Sequence, residues 1–165
     1  MSEAPNAGIP LIIVGCGKAK IWDRNPSLGA VCARDVYTSW LFKLCSRYAE
    51  ARADDHWVIL SAKYGFLAPA NLITNYDVAF GTDPCAITIP ELREQWRQRF
   101  SRVTRICSLA GKAYQDRILG AVPDGVAIEE PLNGLNPFER TAWLAKSKCN
   151  SRRAETRISQ NIDGR

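Results

Sequence analysis

One histidine, His56, and no Cys-x-x-Cys pair leave this sequence without the ligand spacing of a zinc site. Its six cysteines, at positions 16, 32, 45, 85, 107 and 149, are scattered too widely to suggest a disulfide framework, and most are expected to be small buried apolar residues. No apolar run approaches the ~18 residues that cross a bilayer. The start, Met1-Ser2-Glu3-Ala4-Pro5, has neither a basic nor an apolar leader region, so a cytoplasmic location is expected. Complete phosphate-loop and dinucleotide fingerprints, G-x-x-x-x-G-K-[ST] and G-x-G-x-x-G, are also missing.

What is present is the composition of an ordinary globular domain, 46% hydrophobic and 24% charged over 165 residues, long enough for one substantial core. Charge is unevenly placed. Residues 1–130 hold 15 Lys/Arg against 14 Asp/Glu, whereas residues 131–165 hold 7 against 3. A single domain over 1–148 is therefore expected, followed by a basic, partly disordered tail over 149–165 that could meet nucleic-acid phosphates.

Apolar runs alternate with helical patterns along the chain. Strands are expected at Ile9 to Gly15, Trp57 to Ser61, Val103 to Leu109 and Gly125 to Ile128. Helices are expected from Arg34 to about Ala53, from Pro90 to about Phe100, from Lys112 to Leu119 and from Pro137 to about Lys148. The connection after Ser61 reads as long and irregular. Strand and helix in alternation predict an α/β fold of three layers, with a four-stranded parallel sheet in the order 2-1-3-4.

In such sheets ligands sit beyond the carboxyl ends of the strands. Three of those ends pair glycine with lysine: Gly15-Cys16-Gly17-Lys18-Ala19-Lys20, Ser61-Ala62-Lys63-Tyr64-Gly65 and Ala110-Gly111-Lys112-Ala113-Tyr114. Glycine lets a backbone approach a ligand, and lysine supplies a mobile positive charge for phosphate or carboxylate. Each segment alone is a weak signal, but their convergence on one sheet edge predicts an anion or nucleotide pocket.

The stretches "VGCGKAK", "ARDVYTSWLF" and "ILSAKYGFLAP", with "NYD" shortly after, resemble the YaaA-like group and its small relatives among domains of unknown function. The matching residues are Cys16, Lys18 and Lys20, then Ala33, Arg34 and Tyr37, then Leu60, Ser61, Tyr64, Gly65, Leu67 and Pro69, then Tyr76 and Asp77. Asn75 and Phe66 depart from the pattern. The resemblance implies a nucleic-acid or nucleobase connection, through DNA binding in oxidative stress or through uracil-DNA-glycosylase-like domains found beside deazaguanine transglycosylases.

Cleaving an N-glycosidic bond develops oxocarbenium charge on the sugar, which calls for a carboxylate nearby and for donors to the departing base. Asp77 is the candidate carboxylate, with Tyr76 and Ser61 as further catalytic candidates. Tyr37, Tyr64 and Tyr76 offer faces on which a base can stack, and Lys18, Lys20, Arg34 and Lys112 offer charge for phosphate. Cys16, Gly17, Lys63, Gly65 and Gly111 complete the expected binding set. A Cys16 nucleophile would need a base, and His56 precedes the second strand, at the wrong edge. The expected function is an N-glycosidase acting on a nucleoside, nucleotide or modified base, with no cofactor or metal. The alternative is a non-catalytic nucleic-acid binder.

Overall fold

The structure, a computed structural model, describes residues 9–53, 55–81 and 83–146. The basic segment 149–165 lies outside the described residues, and so does the end of the last expected helix.

Five stretches pair into one sheet: β1 (Leu11–Gly15), β3 (Trp57–Ser61), β4 (Gly65–Leu67), β6 (Arg105–Ser108) and β7 (Ala127–Glu129). Two more, β2 (Val31–Cys32) and β5 (Leu72–Ile73), form a separate antiparallel ribbon. The main sheet runs β4-β3-β1-β6-β7. It is parallel except for β4, which runs back along β3 with Ser61 opposite Gly65. A four-stranded, all-parallel sheet is therefore corrected to five strands with an antiparallel edge. The cause is local: Gly65 has φ +73°, a left-handed conformation open mainly to glycine, and it reverses the chain four residues after Ser61.

Alternate strand residues face opposite layers, as period two requires. Ile12, Val14, Trp57, Ile59 and Cys107 face α2 (Trp40–Ala53) and the helical segment 137–146, α5. Leu11, Ile13, Val58, Leu60 and Ile106 face α3 (Ile89–Arg99) and α4 (Lys112–Ala121). Both faces of β1 are thus covered, which is why its sequence is a continuous apolar run. Helix α3 starts where expected because Thr88 and Glu91 form a reciprocal capping box and Pro90 occupies the first turn. No helix among the described residues is long and apolar enough to cross a membrane. The five described cysteines are free: Cys45 and Cys107 are buried, Cys16 and Cys32 half-buried, and Cys85 is exposed, against the expectation that most would be core residues.

The expected helix from Arg34 to Ala53 is broken. A single turn, α1 (Ala33–Val36), gives way to extended backbone at Tyr37, and α2 begins afresh at Trp40. The break has a purpose in the fold. Tyr37 bridges the backbone of Lys20, and the Thr38 amide donates to the Ala19 carbonyl. The irregular connection after Ser61 likewise contains β4 and β5. Beside β5, the amides of Ala33 and Arg34 donate to the carbonyls of Asn71 and Pro69.

Candidate functional site

These two departures from the expected pattern assemble the carboxyl edge of the sheet. Chain reversal at β4 and the β2–β5 ribbon carry Tyr76 back over the end of β3, while the break after α1 turns Tyr37 inward. The two phenols meet, Oη to Oη, at 2.7 Å. Tyr76 Oη also lies 3.0 Å from Ser61 Oγ at the last position of β3. Ser61, Tyr37 and Tyr76 are all buried.

Proton accounting gives this chain a direction. Ser61 Oγ accepts from the amides of Lys63 and Tyr64, each at 3.2 Å, so both of its lone pairs are used and its proton goes to Tyr76. The Tyr37–Tyr76 contact uses one of the two phenol protons. The other has no acceptor among the described residues.

Lys20 lies against the same group and is also buried, 6% exposed. Its Nζ sits 4.5 Å from the centroid of the Tyr76 ring and donates to the Lys18 carbonyl at 3.2 Å. No carboxylate pairs with this ammonium among the described residues; Asp23 instead accepts from the Lys20 backbone amide. Lys63, exposed on the turn, extends over Tyr64 and Tyr76 at 5.2 and 5.9 Å from their centroids. Tyr64 meets Tyr76 edge to face at 5.4 Å, and its hydroxyl lies beside Thr74.

Cys16 is held differently. Tyr114 Oη donates to the Cys16 carbonyl at 2.6 Å, which leaves the thiol as donor in the 3.3 Å Cys16–Tyr114 side-chain contact. His56 stands at the opposite end of β3, roughly 16 Å away at strand rise, so no imidazole serves this thiol. Gly17 lies against Ser39, which caps the start of α2; a Cβ there would come within 3.2 Å of the Ser39 hydroxyl.

The expected site residues thus divide. Lys20, Tyr37, Ser61, Lys63, Tyr64 and Tyr76 form one connected group, with Cys16, Gly17 and Gly65 fixing the loops around it. Lys18 and Lys112 are exposed at the ends of the outgoing loops, and Gly111 precedes α4. Asp77 is exposed beside Tyr76 and has no hydrogen bond or ion pair among the described residues. Arg34 is drawn elsewhere, 3.9 Å from Glu50, which sits about 15 Å along α2 from its start. Two contributors escaped the sequence reading. Tyr114 was legible only as part of a glycine-lysine segment. Gln95 gave no signal, yet its amide accepts from Phe66 N at 2.8 Å and donates to Tyr64 O at 3.0 Å, clamping the hairpin turn.

Burial dominates the protonation of the phenols. It pushes Tyr37 up to about 12, with Cys16 adding to the rise, and it raises Tyr76 and Tyr114 well above the usual tyrosine range. All three remain hydrogen-bond donors at neutral pH. The same burial raises Cys45 to about 12 and Cys107 to about 11. Each folded-state value lies above its free-chain value, so the associated stability is complete at neutral pH and is lost as pH rises through the folded values. Thermal unfolding should therefore fall steeply between pH 9 and 12, and Tyr37→Phe should remove on the order of 2 kcal/mol of the loss between pH 10 and 12. A melting temperature flat to pH 12 would contradict this.

With that geometry in place, comparison with known proteins gives the family. The family model described as "Family of unknown function (DUF6884)" matches residues 11–146, from the first residue of β1 to the described end of α5. The chain belongs to the DUF6884 family. A relative from Bacillus subtilis (strain 168), "Uncharacterized protein YfjM", is 44% identical over 126 residues, covering 74% of this chain and 83% of the relative. The family match, over residues 11–146, spans every site residue discussed above. The comparisons support membership of a family of unknown function and not the expected resemblance to YaaA or to glycosylase-like domains.

Proposed function

We propose that this DUF6884 protein binds a nucleoside, nucleotide or modified base at the carboxyl edge of its sheet and cleaves the N-glycosidic bond. The observation that carries the reading is the buried group of Lys20, Tyr37, Ser61 and Tyr76, which holds more donors than protein acceptors, with the exposed carboxylate of Asp77 following Tyr76 in the chain. Donors in excess suit a leaving base that gathers negative charge, and a free carboxylate suits a sugar that gathers positive charge.

In the proposed reaction the bond from the anomeric carbon to the base nitrogen breaks, and its electron pair leaves with the base. Asp77 faces the cationic sugar and takes a proton from the water that adds to the anomeric carbon. The departing base then takes its proton from solvent. Tyr64 and Tyr76 border the base, and Lys18, Lys63 and Lys112 at the rim meet phosphate. Arg34, engaged by Glu50, is left out of this assignment.

A panel of nucleosides and nucleotides assayed for base release tests the reading, with thermal-shift binding on the same panel. Release of a base from at least one member is the expected result. Lys18→Ala should weaken nucleoside 5′-phosphates about tenfold while leaving unphosphorylated nucleosides nearly unchanged, since an exposed lysine offers charge and little else. Salt-sensitive binding of DNA or RNA with no base release across the panel would replace the enzyme with the nucleic-acid binder that the basic C-terminal segment suggests.

A further inference from the structure

We infer that the buried end of the site recognises the carbonyl oxygen that an oxo base carries where an amino base carries an exocyclic amine, O4 of uracil or O6 of hypoxanthine, and so discriminates against amino-substituted bases. The inference rests on the nucleoside reading above and names the substrate class within it. Two buried donors face no protein acceptor among the described residues: the remaining N–H groups of Lys20, whose ammonium is committed once to the Lys18 carbonyl, and one phenol proton of the Tyr37–Tyr76 pair. Ser61 cannot absorb that proton, because both of its lone pairs are occupied by the turn amides. That carbonyl oxygen, with two lone pairs, can accept from both donors. An edge bearing an exocyclic amine would set donor against donor in a buried place, and unpaired buried polar groups are what give hydrogen-bonding sites their large discrimination.

Phosphate oxygens are the other acceptors such a ligand offers, and their placement follows from burial. Lys18, Lys63 and Lys112 are exposed at the rim, whereas Lys20 is a single cation buried against an aromatic ring. A doubly charged phosphate is better accommodated by several solvated lysines than by one lysine packed against a ring, and a neutral carbonyl can be buried at far less cost. The base therefore enters first and the phosphate stays at the mouth. The same two donors then stabilise the oxygen of the departing base as its negative charge grows.

Calorimetric binding of free uracil, hypoxanthine, cytosine, adenine and ribose 5-phosphate separates these possibilities without requiring turnover. The expected result is that the two oxo bases bind at least tenfold more tightly than the two amino bases. Lys20→Met, which keeps the stem and removes the charge, should erase that preference and leave ribose 5-phosphate binding within about threefold. Tyr76→Phe provides a second variant if Lys20→Met melts below the assay temperature. Equal binding of cytosine and uracil to the wild type would overturn the inference. So would loss of ribose 5-phosphate binding in Lys20→Met, which would put phosphate at the buried end. Oxo-base preference without any base release would leave the inference standing and remove the glycosidase reading; base release with no preference would do the reverse. No binding by any of the five would remove both.

Discussion

Asp77→Asn should retain ligand binding and lower base release by about 100-fold or more. The substitution preserves size and polarity and deletes only the charge that complements the oxocarbenium, so ground-state contacts persist while the transition state loses its partner. Because Asp77 is exposed and has no hydrogen bond or ion pair among the described residues, its replacement should leave the melting temperature within a degree or two. That separation is the useful feature of the experiment: a fall in kcat without a fall in stability assigns the carboxylate to chemistry. Full activity in Asp77→Asn would withdraw it from the site and direct attention to Asp35 and Glu139, the next carboxylates in line. Glu139 is the weaker of the two, since its carboxylate accepts from the Asn136 amide at the start of α5.

Gly65→Ala should be the most damaging single methyl group in the protein. A left-handed backbone costs a residue with a Cβ roughly 1–2 kcal/mol. The added atom would also lie 2.3 Å from the Gln95 Oε1 and 2.7 Å from the Ile87 Cδ1. Moving Gln95 away sacrifices its two hydrogen bonds to the hairpin, one of them to the Phe66 amide within a buried strand. The total comes to about 3 kcal/mol, or a drop near 10 °C for a chain of this size. Adding Gln95→Ala to Gly65→Ala should cost less than the sum of the two single changes, because one substitution relieves the clash created by the other. A loss below 1 kcal/mol for Gly65→Ala would mean that the hairpin turn is not held as described. The variant should also impair the site, since the turn amides of Lys63 and Tyr64 are what orient Ser61.

Much of the framework could be read directly. The limits of β3 were anticipated to the residue, and α3 began within one position of expectation, because a run buried on both faces and a proline after a capping threonine are local signals. The glycine-lysine loops were placed at the strand ends for the same reason: parallel topology and chain order together dictate which ends share an edge. The misreadings were also local. Arg34 to Ala53 has an uninterrupted helical apolar pattern, yet the chain leaves the helix at Tyr37 to pair with Lys20, a partner 17 positions earlier that no helical periodicity reveals. Gly65 to Pro69 had the composition of a turn, yet Gly65–Leu67 became a strand, since glycine there supplies the reversal and the following apolar residues pair with β3.

The site divides along the same line. Which residue types gather at the carboxyl edge was determined by the sequence itself, because strand order and loop composition are set by short-range pattern. Which of those residues touch was decided by tertiary structure alone. Lys20 and Arg34 look equivalent as cations in the sequence, yet one is buried under Tyr76 with donors to spare while the other reaches Glu50 on the surface. Tyr76 and Asp77 are neighbours in the chain, yet one joins a buried hydroxyl chain and the other faces solvent. The physical reason is that burial and hydrogen-bond partnership are properties of contacts between segments distant in the chain. A side chain's charge and shape are written in its residue type, whereas its desolvation and its unmatched protons arise only when other segments close over it.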